Sequence, residues 1–203
     1  MTLQYHLDNL DNIIRMTGEH LEGNSFYLDG QMGHLCPSFE TKRNNLSYYS
    51  KEAKNIIEIG FNGGHSCLLF LLSNPYSKIQ LFDLGNHRYA KLCYEYLNNT
   101  FPDRLNITWG DSSVTYSQFN PNIKYDLIHI DGSHMSEILN KDIINSLRCV
   151  DNNGYIIIDD ISFHPKHMLL NLTEQVVDRL IDGTLIMVAP HKFSNFHIIV
   201  KKG

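Results

Sequence analysis

The chain has 203 residues, 42% of them hydrophobic, enough for one large core and short for two domains, so a single domain over 1–203 is expected. A formal net charge of −5, with lysines and arginines scattered singly, gives no polyanion track and argues against nucleic acid as a partner. No apolar run approaches the ~18–20 residues that span a bilayer, the N-terminus lacks a basic block followed by an apolar one, and the four cysteines form no CxxC pair; a soluble cytoplasmic protein with reduced thiols and no membrane partner is expected.

In chain order, Leu3, Leu7, Leu10, Ile13 and Ile14 share one helical face, which packs either on its own domain or on a second copy in a homo-oligomer. The stretch "EGNSFYLDGQMGHLCPSFETKRNN" (22–45) reads as loop, with aromatics placed to cover a ligand. Residues 1–53 are thus a helical or lid segment before a core over 54–203. From there, short β-branched runs at 55–60, 78–83, 106–111, 125–131 and 154–160 read as buried strands, each closed by Gly or Asp. Helical patterns separate them: Met135, Ile138, Leu139, Ile143, Leu147 and Val150 form one stripe, and 165–181 another with Pro165 near its first turn. Right-handed crossovers make this a parallel sheet covered on both faces. The runs at 184–190 and 196–202 are too close for a crossover helix and predict an antiparallel hairpin. The expected fold is α/β: a Rossmann-like, doubly wound, mostly parallel seven-stranded sheet.

Ligands of such sheets bind at the carboxyl ends of the strands, where the unusual residues of this chain fall. The first strand runs into "EIGFNGGHS", with Glu58, Gly60, Gly63, Gly64 and Ser66 in a turn that lets a ligand approach a helix N-terminus. The spacing is not GxGxxG, although a nicotinamide-binding domain or a purely structural turn would be related. Asp83 suits a ribose diol or simple solvation, and Gly110-Asp111-Ser112 caps a helix or reaches an adenine amino group. Asp131 and the pair Asp159-Asp160 end neighbouring strands. Three carboxylates brought together repel and stay ionised with a cation among them; oxygen ligation favours Mg2+, with Mn2+ or Ca2+ as alternatives. The plainer reading has Asp159-Asp160 capping a loop and His134 starting a helix. His129 alternates to the same side as Asp131, as a substrate contact or a buried polar neighbour. His164 and His167 read as a solvated helix start, and His65 as a turn residue acting through its backbone.

Glu58-x-Gly60-x-x-x-Gly64-x-Ser66, Asp83 and Asp111, with the terminal hairpin, resemble the class I S-adenosylmethionine-dependent methyltransferases over roughly residues 50–203. The resemblance implies a cofactor site of Glu58, Gly60, Asn62, Gly64, Ser66, Asp83, Asp111, Ser112 and Asp131. In it the glycine turn lies against the methionine part, Asp83 on the ribose, and Asp111 with Ser112 on adenine. "IDGSH" followed by "GYIIIDDIS" is similar to the metal-dependent O-methyltransferases, most closely those of sugar hydroxyls of the macrocin and mycinamicin type. That similarity implies magnesium on Asp131, Asp159 and Asp160, His134 as the base, and a small-molecule hydroxyl acceptor, a sugar or glycosylated metabolite. Catechol-type enzymes usually carry Asp-Asn in the last pair. Tyr155 departs from the family at a place where it often has a second glycine. A catechol-type methyltransferase and a catalytically silent cofactor-binding module are the alternatives.

Overall fold

A single sheet of seven strands organises the computed structural model, which describes residues 2–28, 31–133, 135–159, 179, 182–188, 191–192 and 197–203. The strands are β1 (Asn55–Ile59), β2 (Lys78–Asp83), β3 (Leu105–Trp109), β4 (Tyr125–Ile130), β5 (Val150–Asp159), β6 (Leu185–Met187) and β7 (His197–Lys202). Their order is β3-β2-β1-β4-β5-β7-β6; the first five are parallel, and β7 runs antiparallel to both β5 and β6. The order reverses at β1/β4, which opens a crevice beyond their carboxyl ends. This is the expected doubly wound fold with its C-terminal antiparallel pair. His134, Asp160, His164, His167 and the helix expected over 165–181 lie outside the described residues.

Strand alternation divides the core. Ile56, Leu81, Leu127, Ile157 and Ile199 face one layer, while Ile57, Phe82, Ile128, Ile158 and Ile198 face the other. The second layer is closed by α5 (Ser112–Gln118) and α6 (Ser136–Cys149), through Tyr116, Leu139, Ile143 and Leu147. The first is closed by α3 (His65–Ser73) and α4 (Arg88–Thr100), and outside them lie α1 (Leu3–Thr17) and α2 (Glu40–Ser50). That second covering explains α3, whose residues 65–71 are all buried: the run "CLLFL" is apolar around its whole circumference and needs cover on every side.

Two expectations are corrected. Val150 is not the last member of the α6 stripe but the first residue of β5; Tyr125 pairs with Val150 and Leu127 with Tyr155, so the ladder shifts register there. The end of the supposed loop 22–45 is helical, because Glu40–Ser50 forms α2 after a short 3-10 turn at Pro37–Phe39. Its buried positions are Lys42, Asn45, Leu46 and Ser50, so the inward face is mostly polar and carries no apolar stripe.

The α1 stripe packs within its own chain: Leu7, Leu10 and Ile14 are buried against α3 and α4. Leu10→Ala should lower stability by about 2–5 kcal/mol, the usual cost of a core Leu→Ala change. Urea unfolding checks this, and the loss should not depend on protein concentration; a loss that vanished on dilution would place the stripe in a dimer seam.

Candidate active site

A cavity of about 1110 Å³ opens beyond the carboxyl ends of β1, β2, β3 and β4. It exceeds the ~300–1,000 Å³ of common small-molecule sites, leaving room for two ligands side by side. Gly60, Asn62, Ser66, Asp83, Asp111, Ser112 and Asp131 all line it. Gly64 and Glu58 are not among its lining residues. Gly64 serves the turn through its left-handed backbone at φ 78°, where a Cβ would press on Phe61 and Leu97. Glu58, assigned to the cofactor from sequence, is fully buried on the β1 face and bonds His129 at 3.1 Å.

The turn after β1 follows from close backbone packing. Gly60 has φ 92°, donates its N–H to Phe82 O at 2.8 Å, and lies so near Asp131 that any Cβ would overlap the Asp131 carbonyl. The Asn62 N–H (2.8 Å) and the Gly85 N–H (2.7 Å) each donate to one oxygen of Asp83, fixing its carboxylate at the cavity wall. The Asn62 side chain is engaged elsewhere: its amide donates to the carbonyls of Glu22 and Gly23, and its oxygen accepts from the Tyr89 hydroxyl at 2.7 Å. Asn62 thus fastens the N-terminal segment across the cavity. Glu19 adds a second tie, at 2.8 Å to both His87 Nδ1 and the Arg88 N–H, and these partners lower its pKa. His65 acts through its side chain as well as its backbone, packing against Phe26 and Tyr27 at the cavity edge.

On the adenine side of the expected site, Asp111 caps α5 by accepting from the Ser113 N–H at 2.8 Å while also lining the cavity. The Ser112 hydroxyl donates to Asp142 at 3.0 Å. Burial pushes the Asp142 carboxyl up to about 7, the Ser112 hydrogen bond working against that rise and the Asp111 charge adding to it.

At the other end, Asp131 meets a buried polar cluster. Glu58 and His129 are register partners on β1 and β4, and Asp159 and His197 on β5 and β7; all four side chains are buried on the α2–α3 side of the sheet. His129 Nδ1 pairs with Glu58, and its Nε2 lies 3.7 Å from Asp159. His197 Nδ1 is 3.7 Å from Asp159, and its Nε2 meets the Asn45 amide at 2.9 Å. Lys42, reaching in from α2, forms an ion pair with Asp159 and lies 3.9 Å from Asp131 Oδ2. Burial opposes charge on Asp159, but Lys42 and the two histidines hold its carboxyl well below the usual range. Burial likewise opposes a charged His129, yet Asp159, Glu58 and Asp131 raise it to about 10.

His129, Asp131 and Asp159 offer ligand atoms within 4.8 Å of one another. His129 Nε2 and Asp159 Oδ1 are buried without a hydrogen-bond partner. The unpartnered Asp159 oxygen fits a divalent cation as it stands, and His129 Nε2 does so once its proton is released. Sequence reasoning located Asp131 and Asp159 through their strand ends and left His129 between two roles. It missed Lys42, Asn45 and His197, since only the recognition of α2 as a helix could have aimed Lys42 inward.

The crevice at the sheet's reversal point, an acid fixed at the end of β2 and a glycine turn after β1 define a Rossmann-like methyltransferase fold. Residues 57–161 match the family model described as "Methyltransferase domain", and the chain belongs to this family. Among curated proteins, none matches the sequence. Similar solved structures include an O-methyltransferase from Bacillus cereus in complex with SAH (14% identity, 98% of this chain and 91% of that one, TM-score 0.67). Another is described as a putative O-methyltransferase from Klebsiella pneumoniae (16%, 98% and 90%, 0.65). A third is the O-methyltransferase TomG from Streptomyces achromogenes, involved in tomaymycin synthesis, in complex with SAM (14%, 98% and 90%, 0.62). No helix among the described residues is long and apolar enough to cross a membrane.

The raised Asp142 pKa has a definite sign. Between about pH 4 and pH 7 the folded state holds a proton that the unfolded state has lost, so stability falls as pH rises through that window and levels off above it. Asp142→Asn should remove this slope, making the variant more stable than the parent at pH 8 by on the order of 2–4 kcal/mol, with the gap shrinking toward pH 4. Urea midpoints at pH 4, 6 and 8 test it; a gap independent of pH would show that Asp142 does not titrate in this range.

Proposed function

We propose that the protein is an S-adenosylmethionine-dependent O-methyltransferase that methylates a small-molecule hydroxyl with the help of a divalent cation. The observation that carries this reading is the joining of two half-sites at Asp131. One half is the Gly60–Ser66 turn and the fixed Asp83 carboxylate; the other is the buried cluster of His129, Asp131 and Asp159. The solved O-methyltransferases with SAM or SAH bound favour the same cofactor here. A sugar or glycosylated metabolite is the acceptor class favoured by the adjacent pair Asp159-Asp160.

Asp83 accepts the ribose hydroxyls, each of its oxygens already oriented by one backbone N–H. Gly60 lets the turn pack directly against the Asp131 backbone, and the methionine part lies over that turn beside Asp131. Asp111 and Ser112 take the adenine end, where Ser112 is steadied by Asp142. The cofactor supplies a methyl group already activated on a sulfonium. Asp131 and Asp159, with Asp160, would hold the cation, joined by His129 once it gives up its proton, and the cation would acidify the acceptor hydroxyl. His134 receives the hydroxyl proton, a step that general bases accelerate by ~10²–10⁴. Residues 20–25, 27 and 28 line the cavity, where they would shield the transfer from water.

Calorimetric titration with S-adenosylhomocysteine tests the cofactor half: Asp83→Ala should weaken binding by about 1.5–3 kcal/mol, the scale of hydrogen bonds to a charged acceptor. Unchanged affinity removes Asp83 from the ribose site. The second half is tested by methyl transfer from labelled S-adenosylmethionine to panels of sugars and catechols. Turnover should stop on chelation and return with Mg2+ or Mn2+; full turnover after exhaustive chelation removes the cation, and transfer to catechols alone selects the catechol-type enzyme.

A further inference from the structure

The cluster that fits a divalent cation already contains a cation of the chain itself. Lys42 has a side chain only 6% exposed, and its ammonium is directed at the same two carboxylates, Asp159 and Asp131, that the ion would use. A lysine is rarely buried to this extent unless it is paired. Its position is built rather than incidental. One turn further along α2, Asn45 is clamped to the chain at Lys192 by two hydrogen bonds of 2.7 Å, its amide donating to the carbonyl and its oxygen accepting the N–H. The same amide meets His197, which faces Asp159 from β7. The helix that carries Lys42 is therefore registered against the strand end that carries its partner.

A second cation competes with Lys42 for these carboxylates. A divalent ion needs carboxylate oxygens at about 2.0–2.6 Å, and an ammonium held on the same oxygens repels it and takes up lone pairs that it requires. We propose that Lys42 is the resident cation of the ion-free site, neutralising Asp131 and Asp159, and that a divalent metal binds there only by displacing it. This inference rests on the cation-dependent reading of the site. It assigns Lys42 as a positioning residue that keeps the carboxylates ionised and α2 docked until metal arrives, and that lowers the apparent metal affinity by the cost of its own release.

The test uses the full chain with Mn2+ as probe, its binding followed by electron paramagnetic resonance of the free ion and its effect followed by thermal unfolding. Lys42→Met keeps length and removes the charge; it should bind Mn2+ at least tenfold more tightly than the parent. In chelator it should melt below the parent, and Mn2+ should restore more of its melting temperature than it adds to the parent's. Lys42→Arg keeps the charge and should bind Mn2+ no better than the parent, and the exposed control Lys51→Met should match the parent in both measurements. Equal or weaker Mn2+ binding by Lys42→Met overturns the displacement while leaving the metal site standing. Absence of Mn2+ binding by parent and variants alike, with all folded by circular dichroism, overturns the metal reading and the displacement with it. Should Lys42→Met not fold, Lys42→Gln carries the same comparison with the same outcomes.

Discussion

The pairing of Lys42 with Asp159 and Asp131 is the constraint on which the active-site face of this protein depends. Each charge removed from water costs several kcal/mol, and the cost is offset only while every partner stays in place. Here the partners come from four strands and one helix: Glu58 on β1, His129 on β4, Asp159 on β5, His197 on β7, and Lys42 with Asn45 on α2. Removing any one charge leaves another buried and uncompensated. Because α2 has little apolar surface facing inward, this network, more than hydrophobic burial, docks it. The segment that precedes α2 contributes Phe39 and residues 20–25, 27 and 28 to the cavity wall, so the shape of the cavity inherits the stability of the cluster.

The same logic of mutual dependence operates at the turn after β1. Gly60 sits where a side chain would collide with the Asp131 backbone, and the Asp131 N–H in turn donates to Ile59 O at 2.8 Å. The glycine turn and the carboxylate cluster are therefore one mechanical unit. Asn62 extends it outward, holding Asp83 through its backbone and the N-terminal segment through its side chain. A ligand resting on the turn would be in register with whatever the Asp131 carboxylate holds. This arrangement suits a reaction whose rate depends on alignment of a donor atom with an acceptor.

The buried ionisable groups also show where stability yields to function. An apolar replacement of a buried ion pair is often neutral or stabilising, so a cluster of this size beside an apolar core is poorly explained by folding alone. The opposite layer of the same sheet is the comparison: Ile57, Ile128, Ile156, Ile158 and Ile198 fill it without a charge. Asp142 is the exception on that side, and it supports Ser112 at the cavity.

The strands and the α/β order were legible because their signals are local. β-branched runs of five or six residues, closed by Gly or Asp, mark buried parallel strands whatever surrounds them, and the short spacing of the last two runs required an antiparallel return. The strand-end acids Asp83, Asp111 and Asp131 were legible for the same reason, since topology alone brings carboxyl ends together. Other features depend on contacts distant in the chain. Glu58 looked like a ligand residue by its place in the motif, but strand alternation and the register with His129 turned it into the sheet's packed face. The helical face of α2 was hidden because its inward positions are Lys42, Asn45 and Ser50 around a single Leu46, and polar residues are expected inside only when something equally polar is there to meet them. What the sequence by itself determined was the fold and the strand ends around which the cavity opens, both written in short-range periodicity. Only the tertiary structure decided which charges meet, because the pairing of Lys42 with Asp159 joins residues more than a hundred positions apart that share no local pattern.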